Sequence, residues 1–245
     1  MTEKNTELKS DILIGKNEDF SIDTMKINDY LLTFEDADSF EQIDIYGDLD
    51  YRNKLTDTVN RNWGERARKI QTYLTDQFGD YFYATDTMLV LKLANNDTLS
   101  FVTEGENTDG HTSYIFEHYF DQIDYFLLQV LYWEGNSWLL VNRKNGFKKE
   151  ITGLPYISED NTKIITVNSD LDAGYTFNGI ELYTILADSL QTEFRKETEW
   201  GPLDVKWINE NEFLLKREYY HNNGNNVDYT RVKIEKMNHP PRKQQ

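Results

Sequence analysis

The 245-residue chain carries 43 acidic against 26 basic side chains, a formal charge of −17, and its sequence pI is near 4.6. That balance argues against nucleic acid or an anionic membrane face as partner, because both need a cationic footprint, and it favours a basic protein. Cysteine is absent, which excludes disulfides, thiolate metal sites and cysteine nucleophiles.

Aromatic residues make up 14% of the chain, too many for a disordered acidic sequence, and they suit pleated, half-buried surfaces. The expected fold is mainly β: antiparallel sheets, irregularly propeller-like or sandwich-like, with one main α-helix near residues 58–78. A single domain over 1–245 is expected, with acidic strands and the helix in 1–80, an antiparallel region over 81–236 and a disordered tail at 237–245. The sequence contains no apolar run long enough to cross a bilayer, so the chain as written reads as soluble and without an export signal. The polar opening Met1–Ser10 equally fits a trimmed leader, which would place the protein in the periplasm or lipid-anchored in the cell envelope. A monomer is expected.

In chain order, Asp36, Asp38, Glu41, Asp44, Asp48 and Asp50 cluster around Ile43, Ile45 and Tyr46, a pattern of short strands with acidic loops. Residues 1–60 hold 15 acidic and 6 basic side chains, net −9, whereas residues 216–245 hold 3 and 7, net +4. Val59, Trp63, Ala67, Ile70, Leu74 and Phe78 then recur at helical spacing, with Thr56 or Asp57 as cap and Gly79 as a positive-φ stop. Beyond Gly79 the period becomes that of strands. Thr87–Leu93 and Thr98–Thr103 flank an Asn95–Asp97 turn, and Tyr125–Trp133, apolar on both faces, reads as a central strand. Trp138–Asn142 and Phe147–Ile151 are joined through Asn145 and Gly146. Further strands are expected at 162–168, 179–186, 191–197, 203–208, 212–219 and 228–235.

From Trp138 the order is strand, Asn-Gly turn, strand, then Pro155, Ser158, Asp160, Lys163 and a β-branched run to Val167. About 47 residues later Pro202, Val205, Trp207, Asn209 and Asn211 precede Phe213–Leu215. This order resembles the blade boundary of TolB-type β-propellers, whose Ser-Pro-Asp-Gly-Lys turn links the innermost strand to the next; here Glu159 stands for the proline, Asn161 for the glycine, and Thr162 is inserted. The period suits four-stranded blades. With Gly174, Tyr175, Asn178, Gly179, Trp200, Gly201 and Pro202, the region is similar to uncharacterised bacterial envelope proteins, a likeness that implies no catalytic residues.

No nucleophile elbow, phosphate loop or dinucleotide fingerprint occurs, and the four histidines lack metal-ligand spacing, so no cofactor is expected. His118, between Phe116 and Phe120 on a strand, is a weak acid–base candidate, and His221 and His239 read as solvated. Asp170 and Asp172 before Gly174 offer hard oxygens to calcium, or cap the amides of a turn. Trp200, at a Gly-Pro turn, is the aromatic expected to be exposed and, with Tyr175, to stack a sugar or peptide; Trp138 and Trp207 are expected in the core. The leading function is non-enzymatic binding of a basic protein through Asp36, Asp38, Glu41, Asp44, Asp48 and Asp50, in the manner of an immunity protein. The alternative is a carbohydrate or ester hydrolase with paired carboxylates.

Overall fold

The computed structural model describes residues 24–57, 63–105, 108–221 and 224–237. These form sixteen strands and two helices: β1 (Thr24–Ile27), β2 (Tyr30–Asp36), α1 (Leu49–Asp57), α2 (Trp63–Phe78), β3 (Phe82–Ala84), β4 (Met88–Lys92), β5 (Thr98–Val102), β6 (Thr112–Phe120), β7 (Tyr125–Tyr132), β8 (Asn136–Asn142), β9 (Lys148–Ile151), β10 (Pro155–Ile157), β11 (Lys163–Asn168), β12 (Gly179–Ile185), β13 (Leu190–Glu197), β14 (Gly201–Asn209), β15 (Glu212–His221) and β16 (Gly224–Lys236). The protein is mainly β, as its composition implies.

All pairings are antiparallel and build four sheets, ordered β3-β4-β5, β6-β7-β8-β9, β10-β11-β12-β13 and β14-β15-β16-β2-β1. Three of them begin at Thr112, Pro155 and Gly201, a recurrence of about 43 and 46 residues. The fourth sheet takes two strands from the other end of the chain: β2 pairs with β16 over Thr230↔Asp36 to Lys236↔Tyr30.

The strand period explains how the sheets stack. Along β7, Phe126, Leu128 and Val130 enter one core cluster with Leu74, Phe82 and Leu91, while Tyr125 and Leu127 enter the next with Ile164 and Tyr183. In β11 and β12, Ile164 and Tyr183 face that second cluster, and Ile165, Val167, Ile180 and Leu182 face a third shared with Val205, Phe213 and Leu32. Alternate side chains thus serve opposite faces, and a strand covered on both sides reads as an unbroken apolar run. Each such side chain contributes roughly 1.5–3 kcal/mol on burial. Consecutive sheets share a cluster, and among the described residues no cluster joins the first sheet to the last.

Several local expectations need correction. Residues 49–57, which fall in the stretch expected as short strands with acidic loops, form α1, whose buried side chains are the polar Arg52 and Thr56, so no apolar stripe announced it. Thr56 and Asp57 close this helix instead of capping the next one, and α2 begins at Trp63; Val59 lies outside the described residues. Ile70, Leu74 and Phe78 do face the first cluster. Gly79 is not among the positive-φ glycines; its lack of a side chain serves close approach, since a Cβ there would stand 2.6 Å from the Thr75 carbonyl oxygen. At the Asn145–Gly146 turn only Gly146 takes positive φ, while the Asn142 side chain accepts from the Lys144 amide. Of the expected tail at 237–245, only Met237 is described, and its amide donates to the Asp29 carbonyl at 2.7 Å; residues 238–245 lie outside the described residues.

Candidate functional site

After β2 the chain leaves the fourth sheet and runs across the stack. Ile43 packs on the third cluster, Ile45 on the second and third, and Tyr46 on the second, so apolar side chains anchor this acidic segment. Near its start, the amide of Ala37 donates to the Tyr229 carbonyl at 3.1 Å and the Phe40 ring meets Tyr229 edge-on at 5.5 Å. Between this stretch and the outward face of β14 to β16 lies an open groove of about 760 Å³, lined by Asp36, Asp38, Phe40, Glu41, Lys206, Ile208, Leu214 and Arg231. The strand period supplies its far wall. Val205, Trp207, Phe213 and Leu215 are buried, which turns Lys206, Ile208 and Leu214 outward.

The six acids named from sequence therefore separate. Asp36, Asp38 and Glu41 meet at the groove, whereas Asp44 accepts from the amides of Tyr46, Gly47 and Leu49 and holds the turn into α1. Asp48 is drawn into a largely buried polar cluster. Its carboxylate accepts from Arg52 Nε at 2.7 Å and from the Tyr73 hydroxyl at 2.6 Å, while Arg52 also reaches the Glu117 carboxylate at 3.1 Å and its carbonyl at 2.7 Å. Asp50 is exposed in the first turn of α1, where a carboxylate complements the helix dipole.

Glu117 is the extra residue of a bulge between Phe116 and His118, and the bulge aims it at α1. Burial pushes its carboxyl up to about 7 against the lowering influence of Arg52. Beside it, burial and the Arg52 charge push His118 down to about 4; its ring sits among Tyr46, Phe78 and Phe120. Burial and the bond to Asp48 push the Tyr73 hydroxyl up to about 12. Sequence reading found His118 but missed Arg52 and Glu117, which carry no motif.

Trp200 corrects the expectation of exposure. It is 2% exposed, its ring edge-on to Phe34 at 6.3 Å with the Arg217 guanidinium 5.2 Å from its centre, so it offers no stacking platform. Tyr175 is 73% exposed and Trp133 is 55% exposed. Trp207 is buried as expected, whereas Trp138 is only partly buried against the second cluster. Asp170 is engaged by its own loop: it accepts from the Gly174 amide, the Thr176 amide and the Thr176 hydroxyl, bonds that hold its carboxyl below the usual range. Asp172 is exposed. Among the described residues no three His, Asp or Glu side chains gather as metal ligands, and no helix is long and apolar enough to cross a membrane. The side chain of His221 and all of His239 lie outside the described residues.

No protein-family model matches the chain, and no curated protein matches it.

Proposed function

We propose that this protein is a non-enzymatic binding module that receives a basic segment of a protein partner in the groove beside Asp36–Glu41. The observation that carries the reading is the groove itself: three carboxylates stand beside an apolar floor of Phe40, Ile208 and Leu214, and Asp36, Asp38 and Glu41 make no ion pair with another described residue. Unpaired exposed carboxylates steer a cationic partner, and desolvated apolar contacts then slow its release. The chain's net charge of −17 extends that field beyond the groove. The resemblance of residues 138–215 to TolB-type blade boundaries and to bacterial envelope proteins is what favours an encounter in the cell envelope.

The test uses a fluorescein-labelled peptide, Lys-Lys-Leu-Leu-Gln-Gln, and fluorescence anisotropy at 50 and 300 mM salt. The wild type binds it more tightly at low salt. The triple variant Asp36→Asn, Asp38→Asn, Glu41→Gln binds it several-fold more weakly and with a smaller salt dependence, the remainder coming from the acidity of the rest of the chain. Equal binding by wild type and triple variant would remove the acidic groove from the function.

A further inference from the structure

The groove carries both signs of charge. Across from Asp36, Asp38 and Glu41 stands Lys206 on β14, exposed, within the same lining and without an ion pair among the described residues. Its position is set by the sheet: Lys206 pairs with Leu214 in the β14–β15 register, between the buried Val205 and Trp207. Arg231, on the same side, is held by Glu212 at 2.6 Å and so contributes a partly neutralised charge. Opposite charges that share one groove without pairing leave each available to a ligand. A uniformly basic segment would meet the carboxylates but set its positive charge against Lys206, whereas a segment of mixed charge satisfies both walls.

We infer that the groove selects a peptide segment of bipolar charge, with basic side chains toward Asp36–Glu41, a carboxylate toward Lys206 and an aliphatic residue between them on Ile208 and Leu214. The inference rests on the peptide-binding reading of the groove and narrows its partner. Recognition of this kind discriminates by repulsion as well as attraction: Lys206 disfavours the all-basic competitor that the acidic wall alone would accept.

Anisotropy with three labelled hexapeptides tests it: Lys-Lys-Leu-Leu-Glu-Glu, its reverse Glu-Glu-Leu-Leu-Lys-Lys, and Lys-Lys-Leu-Leu-Gln-Gln. One of the two bipolar orders binds wild type more tightly than the Gln peptide by about three- to fivefold, the upper part of the range of an exposed ion pair. Lys206→Ala abolishes that difference, and Lys206→Glu reverses it. Lys206 is exposed, so both variants fold, which thermal melting by circular dichroism verifies. If the Gln peptide binds as well as both bipolar peptides and Lys206→Ala changes nothing, while the acidic triple variant still weakens binding, the bipolar inference falls and the acidic groove stands. If none of the three peptides binds, both fall.

Discussion

Lys163 donates from its ammonium to the Glu210 carbonyl at 2.7 Å and to the Asn211 side-chain oxygen at 2.9 Å, bridging turns 47 residues apart. The first turn joins β10 to β11 and the second joins β14 to β15, the opening hairpins of consecutive sheets. Within the first, Ser158 Oγ donates to Asp160 and accepts from the Lys163 amide, and Asn161 takes a φ of 58°, a conformation asparagine tolerates. Lys163→Met keeps the aliphatic stem and removes the charged donor. It should lower stability by about 1 kcal/mol, below the roughly 1.5–3 kcal/mol of a charged hydrogen bond because both bonds are solvent-exposed. Urea denaturation would read this as a lower midpoint with unchanged slope, and an unaltered midpoint would show that the bridge contributes nothing.

A deeper tie joins the second sheet to the third. The Glu181 carboxylate, 1% exposed, accepts from the Thr152 amide, the Thr152 and Thr166 hydroxyls and Arg195, with every distance between 2.8 and 3.1 Å. Glu181→Ala strands these donors and should cost about 3 kcal/mol or more, whereas Glu181→Gln keeps an acceptor and should cost less. Equal losses in the two variants would show that the carboxylate charge, which both remove, matters there and that neither the retained acceptor nor the side-chain volume does.

Two glycines make a matched pair. A Cβ on Gly153 would stand 1.9 Å from the Val167 carbonyl oxygen, so Gly153→Ala forces backbone apart at the junction of two sheets. Gly174 has a φ of +63° but meets nothing within 4 Å, so Gly174→Ala should cost only the roughly 1–2 kcal/mol of the left-handed backbone. The expected result is an unfolded or strongly destabilised Gly153 variant beside a folded Gly174 variant; the reverse order of melting temperatures would contradict this packing.

The strands after Gly79 were legible because alternation and turn residues are local signals, and those signals agree with the tertiary outcome at β4, β5, β7–β9 and β11–β16. Helix α1 was not legible: Arg52 and Thr56 dock it through polar contacts made 65 and 10 residues away, which leave no apolar period. Trp200 misled because a Gly-Pro turn usually lies at the surface, whereas here Gly201 and Pro202 begin β14 and are themselves buried. Half of the candidate groove was visible as Asp36, Asp38 and Glu41. The other half, Lys206, Ile208 and Leu214, followed from period-two alternation once the buried partners were known, but their meeting with the acidic segment depends on the pairing of β2 with β16, across almost the whole chain.

Glu117 and His118 predict a pH response that is visible only when one is removed. Glu117 rises from 4.5 to about 7 in the folded protein, chiefly through burial, so its contribution to stability is greatest below pH 4.5 and is lost as pH rises toward 7. His118 falls from 6.5 to about 4, also chiefly through burial, so its contribution is present above pH 6.5 and is lost as pH falls toward 4. Between pH 4.5 and 6.5 the two slopes oppose each other, because folding takes up a proton at Glu117 while releasing one at His118. Each alone amounts to roughly 3 kcal/mol across its window, at 1.36 kcal/mol per pKa unit. Arg52 remains paired with Asp48 when Glu117 is neutral, so Glu117→Gln, whose amide oxygen still accepts from Arg52, should fold. Relative to wild type, that variant should lose stability as pH falls from 6.5 to 4.5, whereas His118→Phe, placed among Tyr46, Phe78 and Phe120, should lose it as pH rises over the same interval. Urea midpoints at half-unit steps of pH give the slopes directly, and single variants whose slopes match the wild type would show that folding exchanges no proton between these two side chains.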